Sequence, residues 1–125
     1  MLSITSLTSA DGQLCPVRRV LSGVVGKWQS LILLSLEDEP QRFSAIKRLI
    51  GDITQRVLTE NLRDLERDGY VTRTVSDGSP VEVHYALTAL GREFLDLFKP
   101  LIGWAVQRRA DIEENRAAYD RKRAD

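Results

Sequence analysis

Ile53-Thr54-Gln55-Arg56-Val57-Leu58-Thr59-Glu60-Asn61-Leu62-Arg63-Asp64-Leu65-Glu66-Arg67-Asp68-Gly69 is the stretch on which the fold turns. Thr54 is a good N-cap and Gly69 a natural stop, so the pattern predicts a helix from Thr54 to about Asp68. At about 100° per residue, Leu58, Leu62 and Leu65 form one narrow stripe that must seek a core. Arg56, Thr59, Arg63 and Arg67 fall within an arc of roughly 80° on the opposite side. Three guanidiniums and a hydroxyl therefore project from one face, with Gln55 near its N-terminal end. Glu60-Asp64 and Arg63-Arg67 align like charge with like at the i,i+4 spacing, which argues against a face of self-neutralising pairs.

Upstream, Ser44 reads as the N-cap of a shorter helix, Ala45 to Leu49, ended by Gly51. The Gly51-Asp52 turn joins the two helices into a helix-turn-helix. Downstream, Tyr70 to Val75 and Val81 to Leu87 are β-rich runs separated by Ser76-Asp77-Gly78-Ser79-Pro80, a hairpin that would form a wing. Val81, Val83, Tyr85 and Leu87 alternate with Glu82, His84 and Ala86, which predicts one buried and one exposed face. Arg42-Phe43 is a candidate minimal strand.

Before these elements, Cys15-Pro16 opens a short helix carrying Val17, Val20, Leu21 and Val24 at helical spacing. A second helix is expected from Lys27 to about Glu37, apolar almost all round and so buried and central. After the hairpin, Thr88 caps a long helix with Phe94, Leu95, Phe98, Leu101, Ile102 and Ala105 along one side. Pro100 is expected to kink or break it, and beyond Asp111 the charged helix is expected to continue some way and then fray. The fold class is α+β and mostly helical: a winged helix-turn-helix with N-terminal and C-terminal dimerisation helices. Residues 1–13 read as a flexible arm, 14–105 as the domain, and 106–125 as a charged helical extension or tail.

The 125 residues are enough for one core, with 42% hydrophobic and 29% charged residues. That composition excludes extensive disorder. No apolar run reaches the roughly 20 residues that span a bilayer, and residues 1–13 lack the basic and apolar regions of a secretory signal. A single cysteine, Cys15, cannot form an internal disulfide, so the expected location is cytoplasmic and no membrane partner is expected. The 18 basic and 18 acidic side chains cancel overall. Residues 42–73, however, hold seven Lys or Arg against five Asp or Glu, so the positive excess lies in the helix-turn-helix.

Those side chains suit a DNA major groove. Arginine offers a two-pronged donor to guanine or phosphate, glutamine pairs with adenine, and threonine offers a hydroxyl to phosphate and a methyl to thymine. A helix N-terminus adds free N–H groups for a phosphate oxygen. The DNA-binding candidates are Ser44, Thr54, Gln55, Arg56, Thr59, Arg63, Arg67 and Arg73, with Gln55, Arg56 and Arg63 as base readers. Asp77 and Glu82 make the wing acidic, which opposes phosphate contact there.

Several ordered motifs together resemble the HxlR-type regulators, a family related to the MarR-type winged helices. They are Cys15-Pro16-Val17, Gly26-Lys27-Trp28, Arg42-Phe43-Ser44, Ile53 to Thr59, Leu62 to Gly69, Val71-Thr72-Arg73, Tyr85-Ala86-Leu87-Thr88 and Gly91-Arg92. The resemblance covers about residues 14–105. Val25 departs from it, standing where the family often has a second glycine, and so does Val83-His84. It implies a homodimeric, DNA-binding transcriptional regulator, with DNA contacts from Thr54, Gln55, Arg56, Thr59 and Arg63. It implies wing contacts near Arg73 and the Ser76 to Pro80 tip.

The expected partners are a double-stranded DNA operator, a second copy of the chain, and a small-molecule or oxidant effector. Val17, Val20, Leu21, Phe94, Phe98, Leu101, Ile102 and Ala105 are the candidate dimer interface, because a helix projecting past a small domain needs a partner subunit to cover it. Trp28 and Trp104 read as core or interface anchors. Cys15, at a helix start with Arg18 and Arg19 within a turn, is a candidate redox sensor, since both features favour the thiolate. His84 is the single histidine and reads as a surface residue of a strand, so no His-pair metal site arises. No glycine-rich phosphate loop, metal-ligand cluster or paired nucleophile is present, and neither an enzyme nor a cofactor is expected. The competing reading is a winged-helix protein-interaction module that does not bind DNA, favoured by the neutral total and the acidic wing. A steep salt dependence separates the two.

Overall fold

The computed structural model describes residues 16–124; the arm and Cys15 lie outside the described residues. The elements run α1 (Pro16–Val24), α2 (Gln29–Ser35), β1 (Gln41–Arg42), α3 (Phe43–Ile50), α4 (Gln55–Arg67), β2 (Val71–Val75), β3 (Val83–Leu87) and α5 (Ala89–Ala124). One compact unit ends at Leu95 and a second begins at Asp96.

The first unit is built around the predicted leucine stripe. Leu58, Leu62 and Leu65 of α4 are buried with Val24 of α1, Ile32 and Leu33 of α2, Leu36, Ile46 of α3, Ile53, Tyr70, Val71 and Leu95. α2 is central as expected but shorter. Its end is tightened by i→i−3 bonds, Leu36 N to Leu33 O and Glu37 N to Leu34 O, and Leu31 points outward, 39% exposed. Trp28 packs against the core while Lys27 lies 4.5 Å over its ring.

β3 is the middle strand of a three-stranded antiparallel sheet ordered β1-β3-β2. Arg42 sits opposite His84, and Thr74 is the other partner of that histidine. This corrects two expectations. His84 is half-buried rather than a surface residue, because it lies between Arg42 and Thr74 of the two flanking strands, and β3 shows no in-out alternation, its five residues all being half-buried. The hairpin loop is also longer than its turn residues suggest. Ser76 N donates to Glu82 O and Glu82 N donates to Ser76 Oγ, so Val81 stays outside the strand, 63% exposed.

Ser44 is not a helix cap. β1 pairs with β3 and holds Arg42 extended (φ −79°, ψ 159°), so α3 starts at Phe43, whose ring packs against the core. Gly51, at φ +96°, ends α3 and takes the positive dihedral that other residues resist. Gly91 of α5 is a different case: a Cβ there would overlap the carbonyl oxygen of Tyr70, so the chain approaches too closely for any side chain.

Pro100 does not break α5, which is helical to Ala124. A proline removes one backbone bond, a cost of about 3 kcal/mol that a helix of 36 residues absorbs locally. Beyond Asp111 the helix continues, as expected, and the expected fraying is not seen before Ala124. Arg108–Asp111 (3.2 Å) and Arg109–Glu113 (3.9 Å) lie at i,i+3 and i,i+4 spacing, and the Arg123 guanidinium sits 5.8 Å from the Tyr119 ring centroid. Arg121, Lys122 and Arg123 in the last turn complement the negative end of the helix dipole.

Candidate nucleic-acid interface

α4 is held at both ends. Thr54 Oγ1 accepts from Val57 N at 3.2 Å, and the first helical bond is Leu58 N to Thr54 O. The amides of Gln55 and Arg56 precede that bond and point along the positive end of the helix. At the other end Gly69, at φ +90°, donates to Glu66 O while Tyr70 N reaches back to Leu65 O. This paired closure terminates a helix in a left-handed residue, and buried Tyr70 and Leu65 supply its apolar contact. Thr88 ties the same corner to the wing: its hydroxyl donates to Gly69 O at 2.6 Å and accepts from Gly91 N. Burial pushes the Tyr70 hydroxyl above its ordinary pKa, and the nearby Asp68 carboxylate adds to the rise.

With the leucines inward, Arg56, Thr59, Arg63 and Arg67 are exposed, as the helical wheel requires, and Gln55 is exposed at the helix's N-terminal end. The sequence reading missed one pairing on this face. Arg56 Nε donates to Glu60 Oε1 at 3.1 Å, an i,i+4 pair, and Arg63 lies 4.0 Å from Asp64. Glu60-Asp64 and Arg63-Arg67 are like-charged at i,i+4, whereas Arg56-Glu60 at the same spacing is an opposite-charge pair. Thr59 Oγ1 donates to Gln55 O at 2.8 Å, which turns its hydroxyl hydrogen into the helix.

On α3, exposed Ser44 shares a shallow cleft with Lys47, Arg48 and Gly51. Lys47 and Arg48 were absent from the predicted set. They form the basic last turn of α3, a signal visible in the sequence. Arg73 is exposed on β2. Glu82, one of the two wing acids, lies at the base of the hairpin with its carboxylate 3.8 Å from Arg42, so its charge is partly answered there.

The apolar candidates divide between the units. Val17, Val20 and Leu21 are exposed along α1, whereas Phe94 packs edge-on to Tyr70, ring centroids 6.4 Å apart. In the second unit Phe98, Leu101, Ile102, Ala105, Val106 and Arg109 line one apolar groove of α5, and Trp104 is exposed. Among the described residues there is no cluster of metal-ligating side chains, and no helix is long and apolar enough to cross a membrane.

A family model described as an HxlR-like helix-turn-helix matches residues 23–113. The chain belongs to the HxlR-like helix-turn-helix family. An HTH-type transcriptional regulator of Bacillus subtilis, YdeP, is 37% identical over 111 residues, covering 89% of this chain and 87% of the relative. Among solved structures, the transcriptional regulator ytfH from Salmonella typhimurium superposes with a TM-score of 0.77 at 32% identity, over 88% of this chain and 98% of that one. The redox regulator HypR in its reduced form gives 0.73 at 35% identity, over 79% and 98%. The HxlR-like match runs from Gly23 in α1 to Glu113, well into α5, and so takes in the whole helix-turn-helix and wing.

Proposed function

We propose that this HxlR-like chain is a sequence-specific, double-stranded DNA-binding transcriptional regulator that inserts α4 into the major groove. The observation that carries this reading is the exposed face of α4, where Arg56, Thr59, Arg63 and Arg67 stand opposite a fully buried leucine stripe, with Gln55 exposed at the helix's N-terminal end. Thr54, the free first-turn amides and Ser44 supply phosphate contacts. Gln55, Arg56 and Arg63 read bases, and Arg73 reaches the flanking backbone from the wing.

The regulator acts as a homodimer in the cytoplasm, covering the apolar faces of α1 and α5. Two copies of α4 then meet half-sites about 34–36 Å apart on a pseudo-palindrome. Cys15, the chain's single cysteine, makes the regulator responsive to oxidants or electrophiles, in keeping with its likeness to the redox regulator HypR. With one thiol per chain, the product is a bond between subunits, a mixed disulfide or an adduct. A thiol that titrates near the reference value of about 8.5 and ignores peroxide removes that part of the reading.

Selection of bound duplexes from random DNA tests the function directly. A palindromic motif is expected, and binding that weakens steeply as salt rises. Binding with no sequence preference and a flat salt response would instead leave the fold as a protein-interaction module.

A further inference from the structure

We propose that Glu60 determines sequence specificity: it seats Arg56 against a guanine and itself accepts a hydrogen bond from the amino group of a neighbouring cytosine. This rests on the DNA-binding reading above. The Arg56 Nε–H is committed to Glu60 Oε1 at 3.1 Å, with the two side chains 86% and 48% exposed. A guanidinium held by its Nε keeps both terminal nitrogens for an end-on approach, the fork that guanine O6 and N7 accept. Glu60 thus removes the side-on approach that uses Nε and leaves Arg56 the end-on fork, held in one orientation over the groove.

The carboxylate's own position supplies the second half. On the helical wheel Glu60 lies about 40° from Arg56 and about 20° beyond Arg67, at the border of the DNA-facing arc. An acceptor-only group facing a polyanion is repelled unless it meets a donor. In the major groove the donors are base amino groups, and a carboxylate matches cytosine N4. Asp64 lies about 80° from Arg56, well off that arc, and only 4.0 Å from its chain neighbour Arg63. It shares neither the position nor the i,i+4 bond.

Selection from random duplexes with the wild type, Glu60→Ala, Glu60→Gln and Arg56→Ala tests this, with a melting curve confirming that each variant folds. The wild type is expected to enrich a guanine next to a cytosine in each half-site. Glu60→Ala should lose the cytosine preference and relax the guanine preference about tenfold, while binding mixed-sequence DNA more tightly because a negative charge is gone. Glu60→Gln should hold the guanine preference, because its amide oxygen still accepts from Arg56. Arg56→Ala should lose the guanine preference. A Glu60→Ala variant that enriches the wild-type motif unchanged overturns the proposal alone. A wild type that enriches no motif overturns the DNA-binding reading and this one with it.

Discussion

Thr59 shows how a single side chain narrows what its position can do. Its hydroxyl hydrogen is committed to the Gln55 carbonyl at 2.8 Å, and a phosphate oxygen can only accept. Donation to DNA would require breaking that bond, so the methyl group is the part offered to the groove, where it fits a thymine methyl. Thr59→Val should therefore retain operator affinity, whereas Thr59→Ser should weaken discrimination for thymine at one position. Fluorescence anisotropy on the selected operator distinguishes them, and the reverse order would place the hydroxyl on phosphate. Tyr70 makes a prediction in pH. Burial first, and Asp68 second, raise its pKa, so the folded chain holds the phenolic proton more tightly than the unfolded chain. The resulting stabilisation is complete below the unfolded value of about 10 and is lost as pH rises through the folded value. Tyr70→Phe should flatten the alkaline limb of stability above about pH 10 in denaturant titrations across pH.

At the level of the element, α4 depends on its two closures as much as on its leucines. Thr54→Ala removes the acceptor for Val57 N and should cost about 1 kcal/mol in chemical denaturation, while Thr54→Ser should cost little. Operator affinity should fall in the alanine variant by more than stability alone explains, since the same hydroxyl keeps its hydrogen for a phosphate. α4 was legible because its signals are local: Thr54, Gly69 and three leucines at i, i+4 and i+7 fix its ends and its inward face. Other elements were less legible because their limits are set by distant partners. α3 begins at Phe43 because β3 holds Arg42 extended, which the good local cap at Ser44 could not reveal. Neither the central position of β3 nor the Ser76–Glu82 bonds that delay its start follow from hydrophobic alternation. The reach of α5 past Pro100 shows that one missing backbone bond does not end a helix whose turns on either side are intact, with Arg108–Asp111 and Arg109–Glu113 adding small local terms beyond it. The Arg56–Glu60 bond, by contrast, was within reach of the sequence.

For the whole molecule, 18 basic against 18 acidic side chains means that long-range attraction to a polyanion is weak. Binding must then come from a few cations placed close to phosphate, and the fold collects them on the helix-turn-helix. Lys47 and Arg48 share the cleft of Ser44, one helix away from the base-reading face of α4. That separation predicts a division of labour. Arg48→Ala should weaken binding by a similar factor on operator and mixed-sequence DNA and lower the slope of log K against log salt by about 1 per site. Arg63→Ala should instead cost about 1–3 kcal/mol on the operator, relax one base position, and change mixed-sequence binding much less. Both variants alter exposed side chains on intact helices, so their melting temperatures should stay near that of the parent. Salt titrations of the two variants on both DNAs check this, and equal slopes with equal specificity ratios would mean that the two arginines do the same job. A chain with no net charge has few cations to spare, so the loss of one phosphate contact should be felt on every sequence alike.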